Sequence, residues 1–172
     1  MMEYTTFALI IAVFCATVNG VVEYCEQTSK FHIPSVKANW IGAVEYCNRI
    51  NMRLAIVDSA AKSVSVLDAI NSAKADGLTF ANVWIGANDM AKEGTFTWHS
   101  TGQPVKYTNW SATNPDNHQG RENCVEIAFK DYTQWKWAWN DNKCDAVLYF
   151  VSLRKSVWCG MPSTRAQLYG PW

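Results

Sequence analysis

Residues 101–123 read TGQPVKYTNWSATNPDNHQGREN, a polar stretch with two Pro, two Gly and many Asn, Ser and Thr. It can form neither a long helix nor a long strand, because Pro removes a backbone donor and Gly costs conformational entropy in both. A polar loop this long inside a compact domain has to be carried on a rigid scaffold. Loops so carried are commonly where function resides. The rest of the chain must therefore provide that scaffold.

Two helices precede the loop and strands surround it. From Ala38, the residues Trp40, Ala43, Val44 and Cys47 recur at the spacing of one helical face. Met52 to Val57 is a short apolar run that reads as a strand. Asp58 or Ser59 caps a second helix, with Val64, Leu67 and Ile70 on one face, ended by Asp76-Gly77. Strand character follows in Val83-Trp84-Ile85, Phe96-Thr97-Trp98, Val125 to Phe129, Trp135 to Trp139 and Val147 to Val151. The expected class is α+β, one domain with two helices first and antiparallel strands after. Trp135, Trp137 and Trp139 alternate and so share a face, which makes them either a stacking platform or core.

The first twenty residues read as a secretory signal. Phe7 to Val13 is apolar and too short to span a bilayer, and Val18-Asn19-Gly20 offers a cleavage site, although MMEY lacks Lys and Arg. Residues 1–20 are thus expected to be removed, residues 21–152 to form the domain, and residues 153–172 to be a tail. Removal of Glu3 leaves 15 basic against 14 acidic residues, a net charge of +1. That neutrality, without a basic block, argues against nucleic acid and anionic membranes as partners. No later stretch reads as a membrane span. Removal of Cys15 leaves Cys25, Cys47, Cys124, Cys144 and Cys159. In an oxidising compartment cysteines pair, so with five one is free, bridges two chains, or sits in an unusual segment. An oligomer is compatible with that count.

Asn114, Asp116, Glu122, Asn140 and Asp141 lie within 28 residues, and every one carries a side-chain oxygen. A hard, sulfur-free donor set suits calcium, which takes six to eight oxygens in irregular geometry. Composition alone also allows a solvated Asn/Asp-rich loop. Pro115 separates two ligand-type residues, and a cis bond before it would turn both toward the same side. Cys124 and Cys144 flank Asn140 and Asp141, so a bridge between them would fix the strands that carry these ligands.

In order, Trp84-Ile85-Gly86, Asn109-Trp110, Asn114-Pro115-Asp116, Glu122-Asn123-Cys124-Val125 and Trp139-Asn140-Asp141-x-x-Cys144 resemble the C-type lectin domain family. The resemblance spans about Phe31 to Val151 and is closest in kind to secreted single-domain insect lectins. It implies a double-loop α+β fold stapled by disulfides, with Trp40, Trp84 and Trp110 in the core. It also implies a calcium site of Asn114, Asp116, Glu122, Asn140 and Asp141. There, sugar would be held by Asn114, Asp116, Glu122 and Asn140, with His118 near the place of a stacking Trp. Asn114-Pro115-Asp116 has the amide-then-acid polarity of galactose-type members, with Asn one methylene shorter than their Gln. Asp89 and Glu93, with Asn117 and Asn123, match an auxiliary calcium site in which two acids are replaced by amides. Asp89 and Glu93 read equally well as surface acids.

Family members carry a Cys eight residues after the position of Cys144, bridged to the first helix. This chain has Ser152 there, which leaves Cys159 as the nearest partner for Cys47. Asn109-Trp110-Ser111 is an N-glycosylation sequon. His32 and His99 have no ligand-type neighbours and read as surface or turn residues. The resulting expectation is a secreted calcium-dependent lectin for glycans on cell surfaces or pathogens, galactose-type before mannose- or fucose-type. A lectin-like module for a protein partner or ice is the alternative. Enzymatic chemistry is disfavoured, since no nucleophile is paired with a base and carboxylates held on calcium make poor bases.

Overall fold

A computed structural model describes residues 31–130 and 136–154, and two short strands nearer the N-terminus. Those two, β1 (Ala16–Val18) and β2 (Val21–Glu23), pair antiparallel in a unit of their own. The remaining elements lie in one compact unit spanning Ser29–Lys155. They are β3 (Phe31–His32), α1 (Trp40–Arg49), β4 (Met52–Leu54), α2 (Ala60–Ala75) and β5 (Asn82–Asn88). Then follow β6 (Thr97–Trp98), β7 (Cys124–Phe129), β8 (Lys136–Asn142), β9 (Tyr149–Phe150) and β10 (Ser152–Arg154).

Helix α1 starts where Asn39 caps it, its side chain accepting from the Gly42 amide at 2.8 Å. Trp40, Ala43 and Cys47 form its buried stripe, and Trp40 Nε1 donates to the Ile85 carbonyl at 2.9 Å. Ser59 caps α2 through the Lys62 amide. The buried face of α2 differs from the expected one. Val66, Ile70 and Ala73 face the core, while Val64 is 58% exposed and Leu67 half-buried. The Val66, Ile70, Ala73 series has the 4-then-3 spacing of one helical face, and Val64 lies on another.

Two sheets complete the unit. The smaller has the order β3-β10-β4, antiparallel throughout. The larger runs β6-β5-β7-β8 antiparallel, and β9 joins β5 as the parallel exception. The expected strand at Met52 to Val57 is regular only through Leu54. Beyond it Ala55 donates to Val151 O and accepts from the Gly86 amide at 2.9 Å. That contact requires glycine, because a Cβ on Gly86 would stand 3.0 Å from Ala55 O and 3.1 Å from Leu54 O.

Strand β10 crosses the expected domain boundary at residue 152. Leu153 is buried and pairs with Arg53 and Phe31, so the first residues of the expected tail complete a sheet. Cys124 and Cys144 are bridged. Cys47 is a free thiol, fully buried. Ser152 is buried too, its hydroxyl donating to His32 O at 2.8 Å. Burial pushes the Cys47 thiol pKa up to about 12. Cys159, Cys25, Trp135 and most of the expected signal segment lie outside the described residues.

Candidate metal centre

The long loop is stitched to β8 one residue before Asn140. The Trp139 amide donates to Asn109 O at 2.7 Å, and the Ser111 amide donates to Trp139 O at 3.0 Å. The Trp110 ring meets Trp139 edge-on at 5.5 Å, and Trp98 and Tyr107 close further sides. Trp139 is thus core rather than platform. Trp137 departs from the expected alternation: it has φ +59°, close to a register shift opposite Ala128 and Phe129. Lys74 Nζ sits 4.5 Å from its ring centroid, a cation–π contact that ties α2 to β8. Trp40 and Trp84 are fully buried, as their resemblance implied, while Trp110 is only half-buried, packed against the core.

From Ser111 the loop turns back on itself. The Asn114 amide donates to Ser111 O, and Asn114 Nδ2 donates to Ser111 Oγ at 2.6 Å. The Asn114–Pro115 bond is cis. Asp116 then meets Asp141 of β8: the Asp116 amide donates to Asp141 Oδ1 at 3.1 Å and the Asn117 amide to Oδ2 at 2.7 Å. Asn117 adopts φ +41°, and its Oδ1 accepts from the Glu122 amide at 3.0 Å. That bond brings Glu122 back over the turn, where Glu122 Oε2 accepts from the His118 amide.

The outcome is three carboxylates, Asp116, Glu122 and Asp141, each with an oxygen within 4.8 Å of the others. Asp141 is 1% exposed. Among the described residues no basic side chain pairs with any of the three, and Arg121 turns instead to Gln119. Desolvation raises the Glu122 pKa, and the charges of Asp141 and Asp116 add to it against the His118 amide. Three negative charges converge with no ion pair to a basic side chain among the described residues, and only the charge of nearby His118 opposes them at Glu122; all the donor atoms are hard oxygens. The residues fit a divalent cation of the calcium type.

Asp89 extends this field. It is 2% exposed, with Oδ2 accepting from the Gly94 amide at 2.7 Å. Its Oδ1 is buried and has no hydrogen-bond partner among the described residues. Desolvation raises its pKa, and the charges of Glu93 and Asp141 contribute. Glu93 itself is exposed. Asn117 has already committed its side-chain oxygen to Glu122, and Asn123 meets Asp89 through its backbone carbonyl.

Asn140 stands beside Asp141, but its amide nitrogen is engaged elsewhere, donating to Glu126 Oε1 at 2.9 Å. Glu126 also accepts from Asn82 and Asn142, both at Oε2 and both at 2.9 Å. This buried carboxylate escaped the sequence reading. Its one signal was an acid inside the otherwise apolar CVEIAF. His118 is exposed in a short 3₁₀ turn at the rim, and Asn109 is exposed. His32 and His99 are exposed, the latter edge-on to Trp40.

A family model, "Lectin C-type domain", matches residues 36–152. The chain belongs to the C-type lectin domain family. The chain is 40% identical over 146 residues to salivary C-type lectin 1 of Aedes albopictus, covering 85% of this chain and 95% of that one. It is 40% identical over 144 residues to C-type lectin 16 of Aedes aegypti, covering 83% and 94%. Among solved structures, the cow C-type carbohydrate-recognition domain of CD23, determined in the presence of a GlcNAc2Man3 oligosaccharide, superposes with a TM-score of 0.60. It shares 25% identity, over 76% of this chain and 91% of that one. The fold is that of a C-type lectin, two helices with antiparallel sheets and the Cys124–Cys144 bridge. Among the described residues no helix is long and apolar enough to cross a membrane.

Proposed function

We propose that this chain is a secreted, non-enzymatic lectin whose sugar site is built on calcium held by Asp116, Glu122 and Asp141, with Asn114 and Asn140 completing the set. The observation that carries the proposal is the unneutralised carboxylate triad at the base of the long loop. Salivary relatives of matching length support secretion. Bound calcium supplies coordination positions for two vicinal hydroxyls of a sugar. Asp116 and Glu122 accept hydrogens from those hydroxyls, and Asn114 and Asn140 donate to their lone pairs. One Asn114 N–H is already given to Ser111, which fixes the plane of the amide and leaves the second for a ligand.

The amide-Pro-acid order favours an axial 4-hydroxyl, so galactose-type glycans on cell surfaces or pathogens are the proposed ligands, with His118 at the rim of the site. A second, auxiliary calcium position at Asp89 rests on its unpartnered buried Oδ1. Of the other residues expected there, Glu93 is exposed and Asn117 is otherwise engaged, so the site is weaker than the first. A glycan attached at exposed Asn109 would be carried by the loop itself. A glycan array probed with and without EDTA tests the reading. Calcium-dependent galactoside binding is the expected result. Binding to proteins alone, indifferent to EDTA, would replace it with the lectin-like alternative.

A further inference from the structure

The carboxylate triad has a counterpart on the opposite side of the same strand pair. Residues 125 and 141 pair across β7 and β8, as do 126 and 140, so alternation sends Asp141 and Asn140 to different faces, but β8 is the edge of its sheet, where side chains of both faces can reach one cation lying beyond the edge. Glu126 is 3% exposed. Three side-chain amides converge on it, Asn140 at Oε1 and both Asn82 and Asn142 at Oε2. An ionised carboxylate only accepts, so it dictates which way each amide faces. Asn140 must turn its nitrogen to Glu126, and no described hydrogen bond uses its Oδ1. As packing alone this is an expensive arrangement, since an apolar side chain in β7 would avoid burying a charge.

We infer that Glu126 is a positioning residue for the metal centre, locking the Asn140 amide so that its oxygen, and not its nitrogen, is turned to the cation while the second N–H remains for a ligand. The inference rests on the calcium reading above and adds a residue to it. An Asn side chain ligates a cation only through oxygen, and an unconstrained amide has two orientations of similar shape. Glu126 removes the wrong one before the metal arrives, as hydrogen-bonded outer groups do at other metal sites.

Glu126→Gln discriminates sharply because its consequence follows from counting donors. With the new amide's oxygen placed where Oε2 stood, the bonds from Asn82 and Asn142 survive and its NH2 group faces Asn140. With that amide reversed, two asparagines would have to turn over instead of one. The variant therefore flips Asn140, which presents NH2 to the metal. Adding Asn140→Asp restores an oxygen on both sides: one accepts from the introduced amide and the other is free for calcium.

The test is calorimetric titration of calcium chloride into the unmodified protein, Glu126→Gln, the Glu126→Gln/Asn140→Asp double variant and Asp141→Asn, with metal-free melting curves for each. The expected result is a loss of calcium affinity of at least about tenfold in Glu126→Gln, with its metal-free melting curve close to that of the unmodified protein. The double variant regains that loss. Affinity unchanged in Glu126→Gln overturns the inference, and so does a double variant no better than the single one. No calcium binding by the unmodified protein would remove the calcium reading itself, and this inference with it. Should Glu126→Gln not fold, the unmodified protein still decides by NMR. Asn140 side-chain NH2 protons should exchange slowly with and without calcium, and fast exchange in either state overturns the inference.

Discussion

Strands β7 and β8 carry two acidic environments of opposite design. On one face Asp116, Glu122 and Asp141 crowd three carboxylates together, with only backbone amides to receive them. On the other a single carboxylate, Glu126, is surrounded by three side-chain amides. The second cluster is complete: every oxygen of Glu126 has a donor, and Glu126 itself is buried. The first is incomplete in charge, and its repulsion is tolerable because much of it faces the loop and solvent. A structural carboxylate arrives with its partners; a binding carboxylate leaves room for one. Burial raises the pKa of both Glu122 and Glu126, and their surroundings distinguish them. At Glu126 the side-chain donors oppose desolvation, and at Glu122 neighbouring acids reinforce it.

The largest test of this contrast removes the unmatched charge. Glu122→Ala should lower calcium affinity by about a hundredfold or more, because affinity follows ligand charge, while the metal-free protein stays folded. Calorimetry reads the first and circular dichroism the second. Retention of full calcium affinity would refute the triad as the site.

The matched cluster should respond in the opposite sense. Glu126→Ala leaves three amides without their acceptor and should destabilise the metal-free protein by roughly 3 kcal/mol, in the range for buried unsatisfied donors. Urea denaturation of the two alanine variants side by side makes the comparison. Equal stabilities would erase the distinction between the faces.

How much of this was legible in the sequence depended on distance along the chain. Asn114-Pro115-Asp116, and Asn140-Asp141 between two cysteines, place acids and amides at short range, so the meeting of Asp116 with Asp141 and the Cys124–Cys144 bridge could be anticipated. Glu126 could not, because Asn82 lies 44 residues before it and only tertiary pairing brings them together. Tertiary packing likewise chose Val66 over Val64 on α2, since both are apolar and the local pattern permits either face. Strand β10 was obscured for another reason. Leu-Arg-Lys after Ser152 reads as polar tail, but pairing between β3 and β4 buries Leu153 and completes a three-stranded sheet.

A smaller effect tests the sugar preference proposed for the triad. Asn114→Glu with Asp116→Asn exchanges donor and acceptor around the same cation at constant charge, so preference should move from galactose toward mannose. A change of about tenfold fits hydrogen bonds to charged groups. An unmodified protein that already prefers mannose on the array would end the galactose assignment.

The smallest effect concerns pH. Asp89, Glu122 and Glu126 all have raised pKa values when folded, so the metal-free native state binds protons more tightly than the unfolded chain. Their contribution to its stability is greatest in acid and declines as pH rises through those folded values. Calcium requires the ionised forms and acts in the reverse direction. The rise in melting temperature on adding calcium should therefore be largest near neutrality and shrink toward about pH 4. A calcium-induced shift independent of pH would show that carboxylates are not the ligands.

Cys47 has a consequence of a different kind. Its thiol is fully enclosed beneath α1 and carries a pKa of about 12, so it presents no thiolate at neutral pH. An alkylating reagent reaches it only in molecules whose first helix has come away from the core. When reclosing outpaces alkylation, the labelling rate of this one side chain measures the population of opened molecules. A loss of about 1.4 kcal/mol from the opening free energy quickens it tenfold. The unpaired cysteine thus serves as a chemical clock for the scaffold, independent of whether the loop holds a metal.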